Sequence, residues 1–119
     1  MPYYYFDSTA LVKRYSMERG TRIVNKLLVK RGKVAVVPTW SVTDFYAMMS
    51  TRAQEGHITR DDCYSVFYKF ETESKQGLFH FIVPTVGTYL RTKELVLEYP
   101  FLRSQQVMHL ALALELKPL

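Results

Sequence analysis

Apolar residues follow two rhythms along this chain. Short apolar runs closed by turn residues alternate with longer segments in which apolar positions recur every three to four residues, the patterns of buried strands and of helices lying on a core. The opening run YYYFD, Tyr3 to Asp7, predicts a strand that turns directly into STALVKRYSMERG, a helix ending at Gly20. From Thr21 to Arg31, Ile23, Val24, Leu27 and Leu28 share one helical face, Arg19, Arg22, Lys26 and Lys30 line the other, and Gly32 closes the helix. VAVVP, between Gly32 and Pro38, reads as a strand buried on both faces.

A third helix is expected from Ser41 or Thr43, both good N-caps, to Gly56. A fourth starts at Thr59, with acids in its first turn and Cys63, Val66, Phe67 and Phe70 as its apolar stripe. Gly77 ends it, and LFHFIVP predicts a third buried strand closed by Pro84. Two more helices, Val86 to Glu98 and Leu102 to Glu115, are split at Pro100, with Val107, Leu110, Ala111 and Leu114 turned to the core. Strand, helix, helix, three times over, implies right-handed crossovers and an α/β three-layer fold, a parallel sheet of three strands flanked by helices. Sites in such sheets form beyond the carboxyl ends of the strands, and Asp7 falls at one.

Composition narrows the class. A length of 119 residues suits one domain, residues 1–119, and 48% hydrophobic residues with nine Tyr and seven Phe argue against disorder. No stretch approaches the roughly twenty apolar residues of a membrane span, and the start lacks a signal peptide's basic region and apolar run, so a cytoplasmic location and no membrane partner are expected. The single cysteine, Cys63, excludes an internal disulfide and a zinc ribbon, and its place in the stripe makes it a core residue. The net charge of +5 is local: residues 1–33 hold eight Lys and Arg against Asp7 and Glu18, giving +6, and the remainder nets −1. Such a field attracts RNA or an acidic protein.

Asp7 is the sharpest chemical feature. An acid that closes an apolar strand and opens onto Ser8 and Thr9 offers a carboxylate and hydroxyls to a cation, or it caps the following helix, and both roles are compatible. Asp44 belongs to the first turns of the third helix, where an acid also favours the helix dipole. The histidines are too scattered for a metal set: His57 reads as a loop residue, His80 as part of a buried strand, His109 as a structural residue of the last helix. Ser8 lacks a nucleophile elbow, and Trp40 is assigned to packing, with base stacking as the alternative. Arg19, Arg22, Lys26 and Lys30 fit either a solvated helix face or a phosphate or partner contact.

Three stretches resemble the PIN-domain family, particularly VapC-type toxins. F-D-S-T-A-L-V-K-R-Y is similar to the family's opening strand and turn, whose Asp is the first metal ligand, and places that role on Asp7. T-D-F-Y-A-M-M-S-T-R is similar to the helix carrying the family's Glu, with Asp44 in that place. L-R-S-Q-Q-V-M-H-L-A resembles the family segment L-R-x-x-D-A-x-H-L-A, aligning Leu102, Arg103, Val107, His109, Leu110 and Ala111 in register and putting Gln106 where the family has its third acid. The resemblance implies an endoribonuclease dependent on Mg²⁺ or Mn²⁺, often paired with an antitoxin and often dimeric.

Two departures change that expectation. Gln106 supplies a neutral amide, a poorer ligand for a hard cation than a carboxylate, and the family's C-terminal strand region, with its fourth acid, would lie beyond Leu119. Asp7 and Asp44 remain as metal ligands with Gln106 as a degenerate acid position, so Mg²⁺ or Mn²⁺ binding is expected to be weak and activity weak or lost. Without the family's fourth strand, Tyr3 to Phe6 would form an exposed sheet edge, which recruits a partner. Two functions stay open: a metal-dependent endoribonuclease, and a non-catalytic module binding RNA, an antitoxin-like protein or its own copy.

Overall fold

The computed structural model describes residues 3–116. The chain runs β1 (Tyr3–Tyr5), α1 (Ser8–Tyr15), α2 (Thr21–Leu28), β2 (Val34–Pro38), α3 (Trp40–Gln54), α4 (Arg60–Lys75), β3 (His80–Ile82), α5 (Val86–Glu98) and α6 (Ser104–Glu115). The three strands form one parallel sheet in the order β1-β2-β3, with Tyr3 opposite Val34 and Val36 opposite His80. The expected α/β class and strand, helix, helix alternation are therefore present. β2 is the central strand, and Ala35, Val36, Val37 and Pro38 are all buried, as an apolar run without alternation requires.

Local chemistry sets the element ends. Asp7 caps α1, and the chain leaves the helix at Ser16, whose backbone is extended. Gly20, at φ +96°, then makes the left-handed turn that opens α2, a conformation side chains rarely adopt. α4 starts in a reciprocal cap: the Thr59 side chain accepts from the Asp62 N–H while Asp62 accepts from the Thr59 N–H. α3 and α4 pack their apolar stripes on the sheet side of the molecule. Phe45, Met49, Leu11, Val12 and Phe70 are buried together with Phe6 and Phe79, and the Tyr15, Phe45 and Phe70 rings lie with centroids 5.1 to 6.0 Å apart. A smaller core of Leu95, Val107 and Ala111 holds α5 on α6.

Several sequence expectations need correction. The first helix ends at Tyr15, not Gly20, and the second at Leu28, not Arg31. Ile23 is 67% exposed, because a helix of only eight residues leaning on α1 buries a narrower face, Thr21, Val24 and Leu28. The third helix begins at Trp40, which moves Asp44 into its second turn, where the helix dipole acts more weakly. The third strand is a three-residue edge rather than a buried one: His80 is exposed and Val83 is 65% exposed. α6 starts at Ser104, and Leu112 is buried in place of Leu114, which is exposed. Cys63 is buried as expected, and its Sγ contacts the Met49 carbonyl at 3.2 Å. No helix among the described residues is long and apolar enough to cross a membrane.

Candidate functional site

The carboxyl end of β1 delivers Phe6 and Asp7 to the start of α1. Phe6 is buried and its N–H donates to the Val36 carbonyl at 2.8 Å, which fixes the backbone from which Asp7 projects. Asp7, Tyr5, Gln106, His109, Leu110 and Ala113 line an open cleft of about 390 Å³ between β1 and α6. The strand's end and the last helix are thus brought together, and Asp7 and Gln106, which only the family resemblance had set in one site, line the same cleft.

Asp7 does perform the capping role: its Oδ1 accepts the Ala10 N–H at 2.9 Å. Across the cleft, the Tyr5 hydroxyl and His109 Nδ1 are hydrogen-bonded at 2.7 Å. The Trp40 ring stacks at a tilt on His109, with centroids 5.1 Å apart, so Trp40 packs where α3 meets α6. Burial pushes the His109 pKa down, and it outweighs the opposing pull of Asp7 and Asp44, both of which act on the ring. The ring is thereby held toward its neutral form. Burial first and Asp7 second push the Tyr5 phenol well up, so it keeps its proton.

Asp44 meets a different partner from the one its motif suggests. Its Oδ2 accepts from Gln105 Nε2 at 3.0 Å, while Gln106 Oε1 accepts the Arg103 N–H at 2.9 Å and so closes the first turn of α6. Neighbouring glutamines thus divide the work: Gln105 reaches α3, and Gln106 caps its own helix beside the cleft. Sequence reasoning singles out neither Gln105 nor Tyr5, because spacing alone does not tell which of two adjacent glutamines reaches a distant helix.

The Mg²⁺ or Mn²⁺ that the resemblance implies can be tested against this donor set. A hard divalent ion needs several oxygens, mostly charged. One oxygen of Asp7 serves a helix cap, one of Asp44 serves an amide, and the Gln106 amide oxygen serves a backbone N–H. Among the described residues no three His, Cys, Asp or Glu side chains gather closely enough to hold a metal. The residues present do not fit a fully charged metal-nuclease centre.

The basic residues lie elsewhere. Arg22 and Lys26 sit on α2, Arg19 in the turn before it and Lys30 just past its end, all four exposed. They do not join the cleft residues around Asp7. Two larger hollows, of about 610 Å³ beside Tyr15, Met49 and His57 and about 480 Å³ beside Cys63 and Tyr64, open against α3 and α4, away from the cleft residues. No protein-family model and no curated protein matches the chain.

Proposed function

We propose that this chain is a PIN-like domain, related to the metal-dependent endoribonuclease toxins of the VapC type, whose RNA cleavage is weak or lost. The likeness of three stretches in chain order supports the kinship, and so does an α/β fold that carries Asp7 at a strand's carboxyl end and Asp44 on the helix after the central strand. A cytoplasmic location belongs to this reading, as do RNA, an antitoxin-like protein and a second copy of the chain as partners.

The observation that carries the loss of activity is the pairing of Asp44 with Gln105, beside a Gln106 that has no charge to contribute. Hydrolysis of a phosphodiester needs the attacking oxygen activated and the phosphate's developing charge neutralised. Two carboxylates already engaged by protein donors hold a divalent ion too weakly for either task. What remains is binding, and the exposed cations Arg19, Arg22, Lys26 and Lys30, on a stretch with no acid between Glu18 and Asp44, favour a non-catalytic RNA-binding module as the second reading.

The test is cleavage of a structured RNA in Mg²⁺ or Mn²⁺ by the native chain, Asp7→Ala and Gln106→Asp. Cleavage gained only by Gln106→Asp is the expected result. Efficient cutting by the native chain that Asp7→Ala abolishes would overturn the loss of activity while keeping the kinship. Silence from all three, with RNA retained in low salt, moves the function to binding.

A further inference from the structure

Where α3 ends and α4 begins, residues spaced three and four apart leave a gap instead of a packed seam. Ala53 and Gln54 on α3 and Arg60, Cys63, Tyr64 and Phe67 on α4 line a hollow of about 480 Å³, within the roughly 300–1,000 Å³ of small-molecule sites. Its floor and one wall are fixed. Cys63 Sγ contacts the Met49 carbonyl at 3.2 Å, and the Phe67 ring packs edge-on against Tyr46 and Phe45, with centroids 4.8 and 6.4 Å away. Burial first, then Asp62, pushes the Cys63 thiol pKa up, so the floor adds no charge. Arg60 is the one formal charge on the lining. Among the described residues no carboxylate pairs with it: Asp61 is exposed and off the lining, and Asp62 is engaged in the α4 cap. Arg60 Nη2 instead donates to the Tyr64 hydroxyl at 3.3 Å, and the guanidinium stands 5.8 Å from the centroid of that ring.

We propose that this hollow binds a small aromatic carboxylate, its ring against Phe67 and Cys63 and its acid on Arg60. The lining selects each part of such a ligand. Phe67 and Tyr64 offer aromatic surface and Cys63 a polarisable sulfur, which favour an aromatic body in edge-on or offset contact. A ring also loses less conformational freedom on binding than a flexible chain of the same size. The Arg60 guanidinium spends one of its five N–H donors on Tyr64 and keeps the others for a carboxylate, which a guanidinium engages through two parallel bonds. A cationic ligand would meet Arg60 with no acid on the lining to offset it. The hollow shares no lining residue with the cleft around Asp7.

The test is a titration of the full, isotope-labelled chain with 3-phenylpropionate, 3-phenylpropanamide and 3-phenylpropylamine, followed through its backbone amide NMR signals. With 3-phenylpropionate, the signals of Ala53, Gln54, Cys63 and Phe67 are expected to move and to saturate. The acid is expected to bind about threefold to fivefold more tightly than the amide, the worth of one exposed ion pair, and the amine more weakly than either. Arg60 is exposed, so Arg60→Gln leaves the fold intact; in it the acid is expected to lose its advantage while the amide binds as before. Shifts that never saturate, shifts gathered on the exposed α5 residues Leu90 and Leu97, or an acid advantage that survives Arg60→Gln would each overturn the proposal. Binding is read without any cleavage and away from Asp7, so this inference and the nuclease reading can fail separately.

Discussion

Asp44 on α3 and Gln105 on α6 meet at 3.0 Å, an amide N–H on a carboxylate oxygen, across 61 residues of chain. The contact ties α6 to the helix that follows the central strand, and it occupies an oxygen that a cation would need. A neutral donor leaves the charge of Asp44 in place yet competes with metal for its lone pairs. Thermal unfolding with millimolar Mn²⁺ reads the balance, since a ligand stabilises only in proportion to its occupancy of the folded state. The native chain is expected to shift by less than about 1 °C, while Gln106→Asp, which adds a carboxylate beside the cleft, shifts by several degrees. A large native shift that Asp7→Ala removes would show a working ion site.

Asp7 holds a structural role whatever else it does. Losing the bond from the Ala10 N–H in Asp7→Ala is expected to cost about 1 kcal/mol, or about 3–5 °C in melting temperature for a domain of this size. Asp7→Asn keeps an oxygen for the cap and removes the charge, so it is expected to melt close to the native chain. Asp7→Asn is accordingly the cleaner variant for any metal or cleavage experiment. Equal losses in both variants, measured side by side, would mean that the carboxylate's charge, not the cap, supports the fold here.

The order of the nine elements among the described residues was legible because the chain is punctuated: Gly20, Gly32, Gly56 and Gly77 all sit at positive φ between elements, and apolar runs differ in period between strands and helices. Burial within elements was less legible. LFHFIVP reads like VAVVP, yet only the latter lies between two strands, and an apolar run carries no mark of being an edge. Ile23 and Leu114 follow helical spacing and are nevertheless exposed, because spacing defines a face without saying how wide a neighbour covers it. At the cleft, Asp7 was legible from its place at a strand's end. The Tyr5 to His109 bond spans 104 residues and depends on how α6 crosses β1, which no local pattern encodes.

Arg14 and Glu73 give the fold its main internal charge pair. The Arg14 guanidinium on α1 engages both oxygens of Glu73 on α4 and donates to Asn25 Oδ1 on α2 at 2.9 Å, so one cation fastens three helices. Both side chains are largely shielded, 18% and 15% exposed. Burial works to raise the Glu73 pKa, but the hydrogen bond and charge of Arg14 outweigh it and hold the carboxyl below its usual range. A carboxyl with a depressed folded pKa stabilises fully above its unfolded value, about 4.3, and the contribution fades as pH falls through the folded value. Glu73→Gln is expected to lower stability at pH 7 by about 2–4 kcal/mol, since it strands a shielded guanidinium, and to flatten the loss of stability between about pH 5 and 2. Glu18, held low by Arg52 and Lys13 against its own burial, keeps contributing to acid sensitivity in both proteins, so the difference between the two pH curves isolates Glu73. Urea unfolding at a series of pH values measures it. Parallel curves would mean that Arg14 and Asn25 hold the helices without help from the Glu73 charge. Arg14→Met with Glu73→Leu separates the last alternative: if the pair acts mainly by not being broken, the apolar double variant recovers most of the stability that Glu73→Gln loses.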